Sequence, residues 1–234
     1  MEVDLPTAVF DEQMALVAAR TLTLDAALDA LQGPPPASPD PVVVTFDDGT
    51  ADIVDVALPV LDRHRVPALL YLATDFVERQ RPFPLGGEPA SWSALADALA
   101  SGWVTIGSHT HTHLVLDGAD GATAANELDR SIKLIEDRLG VTPVHFAYPK
   151  AVAPSAAAAA AVRDRFRSAA LAGTRPNRYG HTDPFRLART PVQVSDGMRY
   201  FHRKLAGGMR AEDDIRRTLM RLRPGPSPSP SSMP

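Results

Sequence analysis

Two clusters in this chain have residue types and spacing suited to catalysis. Asp47 and Asp48 stand side by side, followed by Gly49 and preceded by the run Val42-Val43-Val44-Thr45-Phe46. An apolar, β-branched run of that length predicts a buried strand, and Gly49 frees the backbone to turn at its end. Successive side chains on a strand face opposite ways, so adjacent carboxylates serve one site only where the backbone turns. One can then hold a cation while the other moves a proton. The second cluster is His109, His111 and His113, three of the seven histidines within five positions. In a helical turn His109 and His113 share a face and His111 points away; in an extended strand all three share one. Imidazoles at this spacing, with a carboxylate as third ligand, suit Zn2+ and leave a position for water. Zinc lowers the pKa of such a water from ~15.7 to ~7. Asp48 is the candidate third ligand, because both clusters follow predicted strands. Either cluster alone has a plainer reading, Asp-Asp-Gly as a simple turn and the histidines as a solvated loop. Their joint occurrence at two strand ends favours a site.

The elements around these clusters alternate. The pattern predicts helix from about Asp11 to Leu31 with a break near Thr21 to Thr23, then a proline-rich loop from Gly33 to Pro41. After the Val42–Phe46 strand comes a helix from Asp52 to His64, with Pro59 expected to kink or divide it. Ala68 to Leu72 is a second strand, completing a βαβ unit with a right-handed crossover. A loop over Glu78 to Pro89 leads to a helix capped by Ser91 or Ser93 and closed at Gly102. Trp103 to Gly107 is the strand that feeds the histidines. Ala122 to Leu139 reads as an amphipathic helix, Val144 to Tyr148 as a strand, and Ser155 to Gly173 as an alanine-rich helix. A last strand is expected at Arg189 to Val194, with helices at Gly197 to Leu205 and Glu212 to Leu222. Strand–helix alternation predicts an α/β barrel or open parallel sheet over residues 1–222, followed by a Pro/Ser-rich tail at 223–234 expected to be disordered.

Bulk properties narrow the function. The 234 residues fit one large α/β domain. With 24 basic against 28 acidic residues, no cationic field for nucleic acid stands out. The absence of cysteine removes thiolate ligands and thiol nucleophiles. No apolar run approaches the roughly 20 residues needed to cross a bilayer, and no secretory leader is visible before Pro6. A cytoplasmic location is therefore expected for the chain as written, or an extracellular or envelope one if a leader precedes it.

Thr45-Phe46-Asp47-Asp48-Gly49 and Ser108-His109-Thr110-His111-Thr112-His113 together resemble the first two motifs of the polysaccharide deacetylase family, the nodulation-deacetylase homology domain. Phe146-Ala147-Tyr148-Pro149-Lys150 looks like its third motif, in the branch with Ala where others carry Arg. The likeness spans about residues 8 to 210. It implies a distorted, incomplete (β/α) barrel and metal-dependent hydrolysis of N-acetyl groups on oligo- or polysaccharides containing N-acetylglucosamine. By position it implies Asp47 as general base, Asp48, His109 and His113 as ligands of Zn2+ (or Co2+ or Ni2+), and the backbone N–H of Lys150 in an oxyanion hole. Two features depart from the family pattern. The arginine of the third motif is missing, so another cation must orient Asp47, and Arg189 is the candidate. The late Leu-x-His motif is not recognisable; among the remaining histidines His181, near Asp183, is the candidate proton donor. Trp92 is the better-placed aromatic for sugar contact. A small-amide hydrolase and a non-catalytic sugar-binding relative remain as alternatives.

Overall fold

The computed structural model describes residues 5–207 apart from 38, 85 and 174. Five parallel strands run in sequence order across one sheet: β1 (Val44–Phe46), β2 (Ala68–Leu72), β3 (Val104–Ser108), β4 (His145–Ala147) and β5 (Ser168–Ala170). Each edge carries one further parallel bridge, Thr21 beside Val42 and Leu187 beside Ala170. The result is a curled, incomplete (β/α) barrel, as expected.

Helices cover its outside. α1 (Thr7–Val17) and α2 (Leu24–Leu31) flank the break at Thr21 to Thr23, where Thr23 caps α2 through the Ala26 N–H. Pro59 divides the next helix as its missing N–H requires: a π-helical turn at Ile53–Ala57 gives way to α3 (Leu58–His64). α4 (Thr74–Arg79) was not expected, and it ends inside the segment read as loop from Glu78. Ser91, not Ser93, caps α5 (Trp92–Ala100). α6 (Gly121–Leu139) ends at Gly140 in the left-handed conformation, and α8 (Gly197–Leu205) follows the last extended segment.

Two expectations fail. The alanine-rich helix, α7 (Ala156–Arg163), stops well before Gly173, and its expected second half contains β5. Arg189 to Val194 forms no strand; Pro191 there has no N–H to give a ladder. The expected helix at Glu212 to Leu222 and the tail at 223–234 lie outside the described residues.

The core has two layers. Between sheet and helices lie Leu70, Leu72, Leu95, Ile106 and Ile135 on one side and Leu128, Phe146, Val162 and Phe166 on the other. Inside the barrel, Leu69, Tyr71, Ala147, Ala170 and Leu187 meet Leu24 and Leu28 of α2. α2 thus plugs the barrel, leaving the other end for the site. No helix among the described residues is long and apolar enough to cross a membrane.

Candidate active site

Register delivers the clusters to one level. β2 pairs with β1 and β3 such that Phe46 lies opposite Leu70 and Ser108 opposite Leu72. Past those pairs, the Ala73 N–H donates to the Asp48 carbonyl at 3.0 Å, and the His109 N–H to the Leu72 carbonyl at 2.9 Å. The strands therefore deliver Asp48 and His109 on either side of the end of β2. Side chains are required to stay small beneath them. A Cβ on Gly49 would lie 2.7 Å from Leu72 Cδ2, and one on Gly107 would lie 2.9 Å from the His145 carbonyl oxygen.

Beyond the strand ends the backbone is unusual. Asp48, Thr110, His113, Lys150 and Ala151 all have positive φ, between 53° and 72°. Non-glycine residues held there cost of order 1–3 kcal/mol each, and such outliers gather where geometry serves a site. The left-handed step at Asp48 separates the two carboxylates, as their adjacency demanded. The step at Thr110 brings the chain round so that His113 returns toward His109, with ring centroids 5.0 Å apart.

One candidate ligand atom from each of Asp48, His109 and His113 lies within 4.8 Å of the others. His113 Nε2 is 3.4 Å and His109 Nε2 3.8 Å from Asp48 Oδ1. Three properties fit a divalent ion. Asp48 Oδ1 is buried and has no hydrogen-bond partner, which is costly for a carboxylate oxygen left so. His109 Nδ1 lies 2.7 Å from the Ala147 carbonyl oxygen; that oxygen only accepts, so Nδ1 carries the proton and Nε2 presents its lone pair to the cluster. The His113 imidazole is pushed below its ordinary pKa by burial and by His109, against Asp48, which favours its neutral, ligating form.

Asp47 faces Arg189. Arg189 donates from Nη1 to Oδ1 at 2.6 Å and from Nη2 to Oδ2 at 3.0 Å, a two-pronged grip, and reaches Thr45 Oγ1 at 3.2 Å. Its guanidinium carbon sits 5.2 Å from the centre of the buried Tyr71 ring. Burial alone would raise the Asp47 pKa; the neighbouring His109 imidazole, the Arg189 guanidinium that bonds it and the His113 ring together outweigh it and hold the carboxyl below its usual range. Asp47 is thus an ionised carboxylate beside the ligand set, with Oδ2 3.9 Å from His109 Nε2. Arg189 was expected on a strand and is not on one, but it fills the expected place. Its segment runs alongside β5, where the Leu171 N–H donates to the Leu187 carbonyl and the Gly173 N–H to the Arg189 carbonyl.

Lys150 is exposed, with φ at 54°, and its charge acts on His113, which places it at the same rim. His181 does not join the cluster. It is exposed and lines a hollow of about 530 Å³ with Leu28, Leu31, Arg167 and Leu187. Arg167 precedes β5 and α2 is the plug, so His181 sits at the amino end of the barrel, and the proton-donor expectation fails on position. Trp92 donates to Glu78 at 2.7 Å and packs on the core, a helix-packing residue rather than a sugar platform. Tyr148 packs edge-on against Phe146, and burial pushes its hydroxyl up to about 12.

His111, unassigned from sequence, is buried; its Nδ1 meets Thr74 Oγ1 at 2.9 Å and its Nε2 lies 3.4 Å from Asp75 Oδ1. Asp75 and Glu127, both buried, were missed altogether. Asp75 accepts from Arg79 and Arg81. Glu127 lies on the buried stripe of α6 with Ala124, Leu128 and Ser131, and that register was the one signal the sequence held for it.

Known proteins resemble this chain in family and in fold. The family described as Polysaccharide deacetylase matches residues 35–168. No curated protein sequence matches the chain. Among solved structures, the deacetylase PplD of Streptococcus pyogenes, in complex with acetate, superposes with a TM-score of 0.75 at 16% identity, over 88% of this chain and 89% of that one. IcaB from Ammonifex degensii gives 0.72 at 23% identity, over 86% and 88%. A de-N-acetylase from Aggregatibacter actinomycetemcomitans gives 0.70 at 18%, over 87% and 92%. At these identities the likeness is one of fold.

Proposed function

Because the chain belongs to the polysaccharide deacetylase family, we propose that it removes N-acetyl groups from N-acetylglucosamine-containing glycans, with a divalent ion held by Asp48, His109 and His113. The observation that carries this reading is the Arg189-gripped Asp47 carboxylate standing beside three mutually close ligand atoms. Zn2+, Co2+ and Ni2+ all suit two imidazoles and a carboxylate; such an ion would act as a Lewis acid on the amide carbonyl and on water.

The residues divide the remaining work. Asp47, kept ionised, takes the proton from the attacking water. Arg189 orients that carboxylate and cannot itself take up the proton, because guanidinium stays protonated. The Lys150 N–H stabilises the developing oxyanion, a contribution of ~2.7–4 kcal/mol for one such donor. The carbon–nitrogen bond then breaks, and the proton gained by Asp47 is available to the departing amine. Acetate and the free amino sugar result.

The test is acetate release from chitin oligomers, peptidoglycan and poly-N-acetylglucosamine, after chelation and after adding back Zn2+, Co2+ or Ni2+. Metal-dependent release from at least one glycan is expected. Release that survives exhaustive chelation sinks the metal assignment, and no release from any of the three with metal loaded sinks the substrate class.

A further inference from the structure

The turn carrying both histidine ligands folds around a carboxylate that touches neither of them. Glu127 reaches in from α6 and is buried. Its Oε2 accepts the N–H of His111 at 3.1 Å and that of Thr112 at 2.8 Å, and its Oε1 accepts the Thr112 hydroxyl at 3.1 Å. All three donors belong to the residues between the ligands His109 and His113. Two successive N–H groups converge on one anion just after Thr110, whose φ is +65°. A left-handed residue next to a right-handed one turns neighbouring N–H groups into such a concave anion site. Here a side chain of the protein itself fills it.

The opposite side of the turn is tied to α4. The Thr74 and Asp75 N–H groups donate to the Thr110 and His111 carbonyls at 3.4 and 2.8 Å, and the His111 ring meets Thr74. These bonds fix where the turn lies. They do not dictate the bend inside it, which the carboxylate supports by satisfying two successive N–H groups that a regular strand would point apart.

We propose that Glu127 is a positioning residue for the metal site: by holding residues 111 and 112 in the bent form, it keeps His113 Nε2 on the same side as His109 Nε2 and Asp48 Oδ1. The inference rests on the metal-site reading given above. Removing the carboxylate leaves the three ligands chemically intact but lets the turn relax, so affinity for the ion falls while the ligand set is unchanged. Groups that orient ligands from outside typically change metal affinity 10–100-fold.

The test titrates Co2+ into the chelated full-length protein and follows visible absorption, whose wavelength and intensity report ligand geometry. Wild type, Glu127→Ala, Glu127→Gln and Ile135→Val are compared, with thermal unfolding recorded for each. Ile135 is fully buried on the same helix and takes no part in the turn's hydrogen bonds, so Ile135→Val reports what mere loosening of α6 does. Expected are a roughly 10-fold or greater rise in Kd and an altered spectrum for Glu127→Ala. Glu127→Gln, which keeps an acceptor but not the charge, should fall between Ala and wild type, and it carries the test if the alanine variant does not fold. Ile135→Val should titrate like wild type. Unchanged Co2+ binding in both Glu127 variants, or an equal loss in Ile135→Val, overturns the proposal. A wild-type chain that binds no Co2+ overturns the metal-site reading itself.

Discussion

Histidine and carboxylate meet at both ends of this barrel, and the two ends are built differently. At the amino end His145 Nδ1 lies 2.9 Å from Ser168 Oγ, His145 Nε2 lies 3.4 Å from Asp25 Oδ1, and Arg167 bonds Asp25. By residue type this is a Ser-His-Asp set. Yet Ser168 and His145 are buried in regular strands, Asp25 belongs to the plugging helix, and none of the three has positive φ. Burial holds His145 below its ordinary pKa, against the pull of Asp25. At the carboxyl end five non-glycine residues are left-handed, a carboxylate oxygen is buried without a partner, and Asp47 is gripped by an arginine remote in sequence. The two ends differ in left-handed backbone and in an arginine grip on a carboxylate, not in the types of residue present; a buried ring nitrogen, His145 Nε2, lacks a hydrogen-bond partner at the amino end too.

That contrast can be broken at several points. The largest effect is expected from Asp47→Asn, which keeps size and loses basicity: acetate release should drop ~10²–10⁴-fold, the range of general base catalysis, with Co2+ binding retained. Activity within a few-fold of wild type would end the base assignment. Arg189→Lys keeps the charge and loses the two-pronged geometry; turnover should fall roughly 10-fold with little change in KM, and an unaltered kcat would reduce Arg189 to a structural cation.

Asp75→Asn probes the support beneath the histidine turn. Burial raises the Asp75 pKa, but Arg81, Arg79 and His111 outweigh it and hold the group below its ordinary value. A carboxylate with a lowered folded-state pKa contributes its stability above the unfolded value of ~3.9, and loses it as pH falls through the folded value. Asp75→Asn should therefore be less stable by about 1–2 kcal/mol at neutral pH, and the gap should narrow in acid below pH ~4. A gap that widens on acidification would contradict this. The smallest effect belongs to the amino end: Ser168→Ala should cost about 1 kcal/mol of stability and leave kcat and Co2+ affinity unchanged. A loss of turnover there would erase the distinction between the two ends.

The same contrast explains what the sequence could reveal. The two motifs were legible because each is local: a few consecutive residues carry the turn, the candidate ligands and the strand that delivers them. β5 was not, because Ser168-Ala169-Ala170 is three small residues without β-branching and the alanine pattern before it runs on as helix. Arg189 does lie against Asp47 but not on a strand; the expectation of a cation beside Asp47 was chemical, whereas the extended course of Arg189 to Val194 depends on Pro191 and on which neighbour runs past. His181 failed because nearness to Asp183 in sequence does not say which end of a barrel a loop occupies. Glu127 stayed hidden because a glutamate on an amphipathic helix ordinarily faces water.

The arginine that grips Asp47 also spans the gap between the first strand and the last extended segment. Among the described residues, no backbone hydrogen bond joins residues 187–190 to β1; the side chain of Arg189, on Asp47 and Thr45, makes the connection. Breathing of the molecule along this line therefore frees the Asp47 carboxylate from its partner in the same movement. Amide hydrogen exchange flanking the gap and the loss of turnover on warming should then rise together, before the five-stranded sheet itself melts.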